Sequence, residues 1–293
     1  MFESSQGHAD VHQGIAQGGN MSQVSIFDSG NFLLGEGPHW STSLQALCWV
    51  DILDNAVIMK SATERKQFSN FFQPSAVTSS TATTIEVVDA EGVWTLDLGS
   101  GSKTLKFSIP QGHANNRSNE SARDARGNIW IGRMNRDDSL RTGELLCISP
   151  TGELNIAVPD MGIPNTLLWD ESRDRMYFAD SSERSIYVVA IVDGVPDFST
   201  RCTLSVLDES FGAPDGSAIT AAGNIFNARW GAGSVLEMNP AGEVIRNIEL
   251  PTTYITSCSL NDDESVLYVT SACVPIPEAD RTANDGAVFA VEL

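Results

Sequence analysis

The stretch GNIWIG at residues 127–132 decides the fold class of this chain. It places a turn-forming Gly-Asn pair before a short strand rich in isoleucine and tryptophan. Units of the same kind, a turn and then a short aromatic strand, recur at residues 46–51, 92–96, 174–180, 223–228 and 265–270. Such recurrence is typical of a repeat architecture rather than of one irregular sheet.

The spacing of these units predicts which repeat architecture is present. Their aromatic anchors are Trp49, Trp94, Trp130, Tyr177, Phe226 and Tyr268. Successive anchors are separated by 45, 36, 47, 49 and 42 residues, about the length of one four-stranded propeller blade. No long segment shows the apolar period of a helix. The sequence therefore predicts an all-β fold, a six-bladed β-propeller.

Several units contain a second strand before the turn, so that each pair reads as a β-hairpin. Residues 166–169 precede residues 175–180 in this way, and residues 217–220 precede residues 224–228. The inner strands therefore begin close to Asn165 and Asp215. Because the start of an inner strand faces the central channel, we expect both side chains near the axis.

The two ends of the chain are expected to meet in one blade. Residues 24–27 and 287–291 are both strand-like, and their pairing would close the ring and remove exposed strand edges. We predict a single propeller domain over residues 22–293. Residues 1–21 lack both a basic start and an apolar stretch, so we expect a flexible leader and not a secretory signal.

The charge of the chain narrows the choice of partners. The sequence has 18 basic and 38 acidic residues and a formal net charge of −20, which argues against nucleic-acid partners and anionic membranes. No apolar run is long enough to span a membrane. The five cysteines are dispersed and form no Cys-x-x-Cys pair, so we expect reduced thiols and a cytoplasmic location.

Common catalytic motifs are missing from the sequence. It has no Gly-x-Ser-x-Gly elbow, no phosphate-binding glycine loop and no His-Glu-x-x-His pair. Outside the leader the only histidines are His39 and His113, which argues against a Ser–His–Asp triad. Acid–base chemistry would therefore depend on carboxylates or on a metal ion.

Three oxygen donors occupy equivalent positions in different predicted blades. Glu36 lies between two glycines, Asn165 follows a proline, and Asp215 lies in a Pro-Asp-Gly turn. Each alone is typical of a turn. Together they make a central site for one hard divalent cation, and Ca²⁺, Mg²⁺, Mn²⁺, Fe²⁺ and Zn²⁺ all suit it. Three protein ligands leave positions open for water and substrate, as in a catalytic metal site.

A polar cluster before the third unit supplies candidate substrate contacts. Arg117 can donate a forked hydrogen bond to a carbonyl or hydroxyl oxygen, and Asn119 can reach the metal or a ligand hydroxyl. Residues 136–138, beyond the strand of the same unit, can reach the rim of the pocket. A solvated polar loop is the alternative interpretation of both segments.

The sequence also resembles a known family, that of senescence marker protein-30, gluconolactonase and luciferin-regenerating enzyme. The resemblance rests on five blocks that follow one another in order from about residue 30 to the end of the chain. They are residues 35–40 with 49–52, 116–119 with 127–134, 163–167 with 177–181, 214–216 with 228–233, and 256–258 with 267–272. Each block alone is weak, whereas five in order are specific.

This resemblance implies one divalent metal ion on the propeller axis. Its ligands would be Glu36, Asn165 and Asp215, with Asn119 nearby, and Asp215 would also serve as general base. The family consists mostly of sugar-lactone hydrolases. The expected activity is therefore the opening of an aldonolactone, such as glucono-, xylono- or arabinono-lactone, to the aldonic acid.

The substrate contacts implied by the resemblance are Arg117, Asn119 and, for the family's acidic contact, Asp137. Two departures from the family pattern leave the identity of the substrate undecided. Residues 119–121 read Asn-Glu-Ser where the family has Asn-Asp-Gly, and Arg133 stands where the family has threonine, which would add a cation beside the pocket. A metal-dependent ester or phosphotriester hydrolase on the same scaffold, and a non-enzymatic binding propeller, are therefore the alternatives.

Overall fold

Twenty-four strands build the described part of the molecule, residues 23–110 and 115–293 of a computed structural model. They assemble into six antiparallel sheets of four strands each. Helical structure within these residues is limited to short 3-10 turns at Glu171–Arg173, Ser181–Glu183, Glu209–Phe211 and Glu278–Asp280. The six-bladed β-propeller predicted from the repeat is therefore confirmed.

The first three blades follow β1 (Val24–Asp28) in chain order, each from its inner strand outward. Blade 1 contains β2 (Gly35–Ser41), β3 (Ala46–Asp51), β4 (Ala56–Ser61) and β5 (Arg65–Phe68). Blade 2 contains β6 (Ala76–Ser80), β7 (Thr84–Val88), β8 (Gly92–Asp97) and β9 (Lys103–Ser108). Blade 3 contains β10 (Asn116–Arg123), β11 (Ile129–Asn135), β12 (Gly143–Ile148) and β13 (Leu154–Met161).

The last three blades complete the ring. Blade 4 contains β14 (Pro164–Asp170), β15 (Arg175–Asp180), β16 (Ser185–Val192) and β17 (Val195–Val206). Blade 5 contains β18 (Ala213–Ile219), β19 (Ile225–Trp230), β20 (Ser234–Met238) and β21 (Val244–Glu249). Blade 6 contains β22 (Ile255–Leu260), β23 (Val266–Ser271), β24 (Val288–Glu292) and, from the start of the chain, β1.

The ring closes as the sequence predicts. Strand β1 pairs antiparallel with β24, with Val24 opposite Val291 and Ile26 opposite Phe289. Each inner strand also contacts the inner strand of the next blade, and β22 of blade 6 contacts β2 of blade 1. The start of every inner strand is thereby brought to one end of a common central channel. The proposed leader, residues 1–21, and His113 lie outside the described residues.

The hydrophobic core is divided into six clusters, one at each interface between neighbouring blades. Strand β3 shows how one strand serves two interfaces, because successive side chains point to opposite faces of a sheet. Leu47 and Trp49 pack toward blade 6, whereas Cys48 and Val50 pack toward blade 2. Both faces of β3 are buried, which explains why this strand is a continuous apolar run and not an alternating one.

One anchor of the repeat lies in a different strand from the other five. Trp49, Trp130, Tyr177, Phe226 and Tyr268 lie on the second strand of their blades, whereas Trp94 lies on β8, the third strand of blade 2. The second strand of that blade, β7, has no aromatic residue. The aromatic pattern therefore predicted the number of blades correctly but placed one unit a strand too late, which accounts for the short spacing that follows Trp94.

The five cysteines are free thiols, as the sequence predicts. Burial raises the pKa of Cys48 to about 12, so this thiol is protonated and unreactive at neutral pH. Among the described residues, no helix is both long and apolar enough to cross a membrane.

We expect the side chain of Phe27 to stabilise the closure of the ring. This half-buried residue on β1 makes edge contacts with Trp49 of blade 1 and Tyr268 of blade 6, with ring centroids 6.4 and 4.9 Å apart. Phe27→Ala should lower the free energy of unfolding by about 2–3 kcal/mol, somewhat less than for a fully buried phenylalanine. Denaturant unfolding would measure the loss. The control is Phe72→Ala, because Phe72 is 48% exposed. Equal losses of stability in both variants would contradict a special role for Phe27 in the closure of the ring.

Candidate functional site

Each of the six inner strands carries a β-bulge near its start. The bulges lie between Glu36 and His39, Val77 and Ser79, Ser118 and Glu120, Asn165 and Leu168, Pro214 and Ser217, and Ile255 and Ser257. A bulge adds one residue to one strand and redirects the side chains around it. All three predicted metal ligands, and Asn119, therefore lie in or beside a bulge at the same level of the channel.

Two bulges depend on residues with a left-handed backbone. Gly37 has φ of 49°, and a Cβ atom there would lie 2.4 Å from the Cα atom of Ala76, so only glycine fits. Thr166 has φ of 55°, which is strained for a β-branched residue. Its hydroxyl donates to the carbonyl of Asp215 at 2.5 Å, and this hydrogen bond joins blades 4 and 5 at the site.

The loops that enter two of these inner strands are fixed by aspartates at the ends of the second strands. The carboxylate of Asp51 accepts hydrogen bonds from the backbone N–H groups of Leu33 and Leu34 at 2.8 and 3.1 Å. Asp180 accepts those of the two residues before Pro164 at 2.8 and 3.0 Å. These contacts set the backbone that leads into Glu36 and Asn165, respectively.

A chain of hydrogen bonds connects the predicted residues of blades 3, 4 and 5. Arg117 Nη1 donates to Asn119 Oδ1 at 2.8 Å, and Asn119 Nδ2 donates to Asn165 Oδ1 at 3.2 Å. Asn165 Nδ2 donates to Ser181 Oγ at 2.8 Å, while the Ser181 hydroxyl donates to the carbonyl of Pro214 at 2.6 Å. The amide of Asn165 is thereby oriented from both sides, with Oδ1 turned toward Asn119.

The carboxylates of Glu36 and Asp215 are buried, with 5% and 7% of each residue exposed. Burial raises the pKa of Glu36 well above its usual range, and the negative charges of Asp215 and Glu120 raise it further. Burial and the charge of Glu120 likewise raise the pKa of Asp215. The guanidinium of Arg117 opposes both shifts. These four charged groups therefore act on one another through a desolvated region.

The donor set of this region fits a divalent cation. Buried like charges are unfavourable unless a counter-charge compensates them. The carboxylates of Glu36 and Asp215 with the amide oxygen of Asn165 are the hard oxygen donors that such an ion prefers. Among the described residues, no three His, Cys, Asp or Glu side chains are grouped as ligands of one ion. Glu36 and Asp215 would hold the ion together with the amide oxygen of Asn165.

Arg229 is a residue of the site that sequence reasoning named only within a family block. It is 1% exposed, and its guanidinium donates to Asn227 Oδ1 at 2.7 Å and to the carbonyls of Phe211 and Gly212, each at 2.8 Å. Asn227 Nδ2 in turn donates to the carbonyl of Asp215 at 3.1 Å. The charge of Arg229 also opposes the rise in the pKa of Asp215. An arginine in a strand whose other residues, apart from Asn227, are apolar was the available signal.

Glu120 occupies the level of the channel below the predicted ligands. Its Oε1 accepts the backbone N–H of Ser121 at 2.9 Å, and burial raises its pKa to about 7. It lines a cavity of about 270 Å³ on the axis, to which all six blades contribute. The imidazole of His39 lines the same cavity, and burial lowers its pKa to about 4. The departure at residue 120 thus replaces the aspartate of the family pattern with a longer acidic side chain in the channel wall.

Two predicted residues lie away from this cluster. Arg133 is buried and forms an ion pair with Glu144, and its Nη1 donates to the carbonyl of Pro110 at 2.6 Å. It therefore does not provide the free cation beside the pocket that the sequence suggested. Asp137 lies in the exposed loop after β11, where its Oδ1 accepts the hydroxyl of Ser139 at 2.6 Å. Its role in substrate binding stays a prediction.

The fold and the site together define a six-bladed β-propeller with an acidic pocket on its axis. The chain belongs to the SMP-30/gluconolactonase/LRE-like family, whose family model matches residues 34–273. The resemblance found in the five sequence blocks is thereby confirmed.

The relatives of this chain include sugar lactonases. It is 28% identical over 280 residues to an L-arabinolactonase of Azospirillum brasilense, covering 92% of each chain. It is 27% identical over 271 residues to a pentonolactonase of Haloferax volcanii, covering 89% of this chain and 91% of that one. The crystal structure of regucalcin from Agrobacterium tumefaciens, a calcium-binding protein, has a TM-score of 0.85 at 25% identity and matches 92% of each chain.

Glu36→Gln should stabilise the metal-free protein, because it removes one of the buried carboxylates. A carboxylate whose pKa is raised in the fold destabilises the protein above its unfolded pKa of about 4.3, and a tenfold change in proton affinity corresponds to about 1.4 kcal/mol. At pH 7 in chelator the melting temperature should rise by about 2–4 °C or more. The gain should become small near pH 4, where the carboxyl is mostly protonated in both states. Differential scanning calorimetry at both pH values would measure it.

The matched control for this prediction is Glu91→Gln. Glu91 is exposed, and the same change of charge there should leave the melting temperature within about 1 °C. Added Ca²⁺ should raise the melting temperature of the wild type and of the control but not that of Glu36→Gln. A metal-free Glu36→Gln protein less stable than the wild type at pH 7 would contradict the repulsion inferred at this site.

Proposed function

We propose that this protein is a divalent-metal-dependent lactonase that opens an aldonolactone, such as glucono-, xylono- or arabinono-lactone, to the aldonic acid. The observation that carries the proposal is the convergence of two buried carboxylates and an oriented amide beside the half-buried Arg117. The sugar lactonases among the relatives support the substrate class. The free thiols favour a reducing compartment and hence a cytoplasmic location.

The metal ligands in this proposal are Glu36, Asn165 and Asp215. A divalent cation held there would supply Lewis acidity toward the ester carbonyl. The calcium-binding regucalcin that shares this fold supports a cation in the site. The hydrogen bonds from Asn119 and to Ser181 would keep the amide oxygen of Asn165 in place for this role.

The remaining steps belong to side chains of the chain itself. Asp215 would accept a proton as water attacks the lactone carbonyl carbon. The positive charge of Arg117 would stabilise, through space and without a direct hydrogen bond, the negative charge that develops on the carbonyl oxygen. Cleavage of the bond to the ring oxygen then gives a carboxylic acid and a hydroxyl group, with the proton returned from Asp215 to the leaving oxygen. The acid releases its remaining proton to water and becomes a carboxylate. Arg229 and Asn227 would hold the backbone of Asp215 in position throughout.

We expect Asp215→Ala to lower kcat/KM for aldonolactones by about 10³-fold or more, because one residue would serve as both ligand and general base. A proton-release assay with glucono-, xylono- and arabinono-lactone, corrected for spontaneous hydrolysis, would measure the loss. Asp54→Asn is the control, since Asp54 is exposed in a turn of blade 1 and should keep wild-type rates. Full activity in Asp215→Ala would refute the assigned role.

Dependence on the metal can be tested separately from the choice of substrate. Protein treated with chelator should lose activity on every lactone, and one or more of Ca²⁺, Zn²⁺, Mg²⁺, Mn²⁺ and Fe²⁺ should restore it. Aryl esters and phosphotriesters in the same assay test the alternative hydrolases, and higher kcat/KM on either class would replace the lactone assignment. Unchanged activity in chelator would refute the metal-dependent mechanism, and no turnover of any substrate would favour a binding propeller.

A further inference from the structure

Two arginines lie together at the mouth of the channel in blade 3. Arg117 lies on β10 opposite Met134 of β11, and Arg136 follows the end of β11. The guanidinium of Arg136 donates to the carbonyl of Asn116 through Nη1 at 2.9 Å, and to Gln73 Oε1 through Nε at 3.0 Å and also through Nη2. Burial is the main cause that lowers the pKa of Arg117 to about 10, and the positive charge of Arg136 also contributes. The two guanidinium groups therefore lie close enough to repel each other.

Arg117 presents one open edge of its guanidinium. Its Nη1 is occupied by the carbonyl of Ser118 at 2.9 Å and by Asn119 Oδ1 at 2.8 Å. Within the described residues, Nε and Nη2 have no hydrogen-bond acceptor, and neither Arg117 nor Arg136 forms an ion pair. Two adjacent N–H groups on one edge of a guanidinium bind a carboxylate, sulfonate or phosphate through two parallel hydrogen bonds.

A pair of arginines that form no ion pair within the described residues is unusual in a molecule with a large net negative charge. The chain has a net charge of −20, and Arg141, also at this end of blade 3, is paired with both Asp180 and Glu183. A divalent cation would neutralise the carboxylates of the proposed metal site, which also offset the charge of Arg117. Two positive charges would then face the open mouth. Hydrogen bonds to neutral acceptors hold Arg136 against this repulsion, so its position is built into the fold.

We propose that Arg117 and Arg136 form a subsite for an anionic substituent of the substrate, so that the preferred substrates are lactones of acidic sugars. The anion would sit between the open edge of Arg117 and the exposed guanidinium of Arg136, away from the ester that reacts. This inference rests on the proposed lactonase function and narrows its substrate class. Arg136 acts here as a specificity residue and takes no part in bond cleavage.

A matched pair of substrates tests the subsite. D-glucaro-1,4-lactone and D-glucono-1,4-lactone share one ring and differ at C6, where the first has a carboxylate and the second a hydroxymethyl group. We expect wild-type kcat/KM to be at least tenfold higher for the glucarolactone. Arg136→Gln should reduce this preference about tenfold while changing kcat/KM for the gluconolactone less than twofold. Raising the salt concentration should also reduce the preference of the wild type.

The control is Arg126→Gln, which makes the same change in net charge on the same blade. Arg126 is exposed in the turn between β10 and β11 and donates to the carbonyl of Asp193. Its replacement should leave the preference unchanged, which separates a local subsite from general attraction of anions. Equal losses on both substrates in Arg136→Gln, or a wild type that prefers the neutral lactone, would overturn the proposal.

A binding measurement separates this inference from the proposed function. Calorimetry in magnesium-containing buffer would compare D-glucarate, which has two carboxylates, with D-gluconate, which has one. Glucarate should bind the wild type at least tenfold more tightly than gluconate, and Arg136→Gln should reduce that difference about tenfold, whether or not any lactone is hydrolysed. Absence of lactone turnover with this difference intact would refute the lactonase and retain the subsite. Equal affinities in the wild type would refute the subsite alone.

Discussion

The buried carboxylates of Glu36 and Asp215 are the constraint around which the rest of the molecule is organised. They belong to blades 1 and 5, more than half the chain apart, yet each lies in the electrostatic field of the other. A flexible chain would separate two such charges into water, because desolvating like charges is unfavourable. Only a closed ring held by six separate interblade cores keeps them together. The stability of the scaffold is therefore a requirement of the site.

The polar groups around these carboxylates restrict how the site can relax. The bulges fix the level at which each inner strand presents its side chain, and hydrogen bonds to main-chain carbonyls fix the backbone between blades. Thr166 and Asn227 both donate to the carbonyl of Asp215, and Arg229 fixes Asn227. Groups that are already oriented need little reorganisation when charge develops in a reaction, and this is the main source of electrostatic stabilisation in enzymes.

Much of this arrangement could be predicted from the sequence, because the spacing of a sequence repeat indicates how many similar units the fold contains. Aromatic anchors at blade spacing gave six blades, and strand-like ends predicted that β1 pairs with β24. Knowing which residues begin the inner strands was enough to predict Asn165 and Asp215 at one end of the channel. The glycines on both sides of Glu36 indicated a tight turn that directs its side chain into the channel. The predictions of the fold were confirmed because each depends on local pattern and on a constant four strands per blade.

What could not be predicted depends on contacts between segments that are remote in sequence. Arg133 is positively charged wherever it lies, and only the register of β11 with β12 shows that Glu144 is opposite and neutralises it. Arg136 was read only as part of a polar rim, and its orientation depends on Gln73, a residue of the loop that enters blade 2. A sequence shows which charged residues are available to a pocket. The pairing of strands and loops decides which of those charges remain uncompensated, and in this propeller that pairing leaves Arg117 and Arg136 available at the mouth of an otherwise acidic molecule.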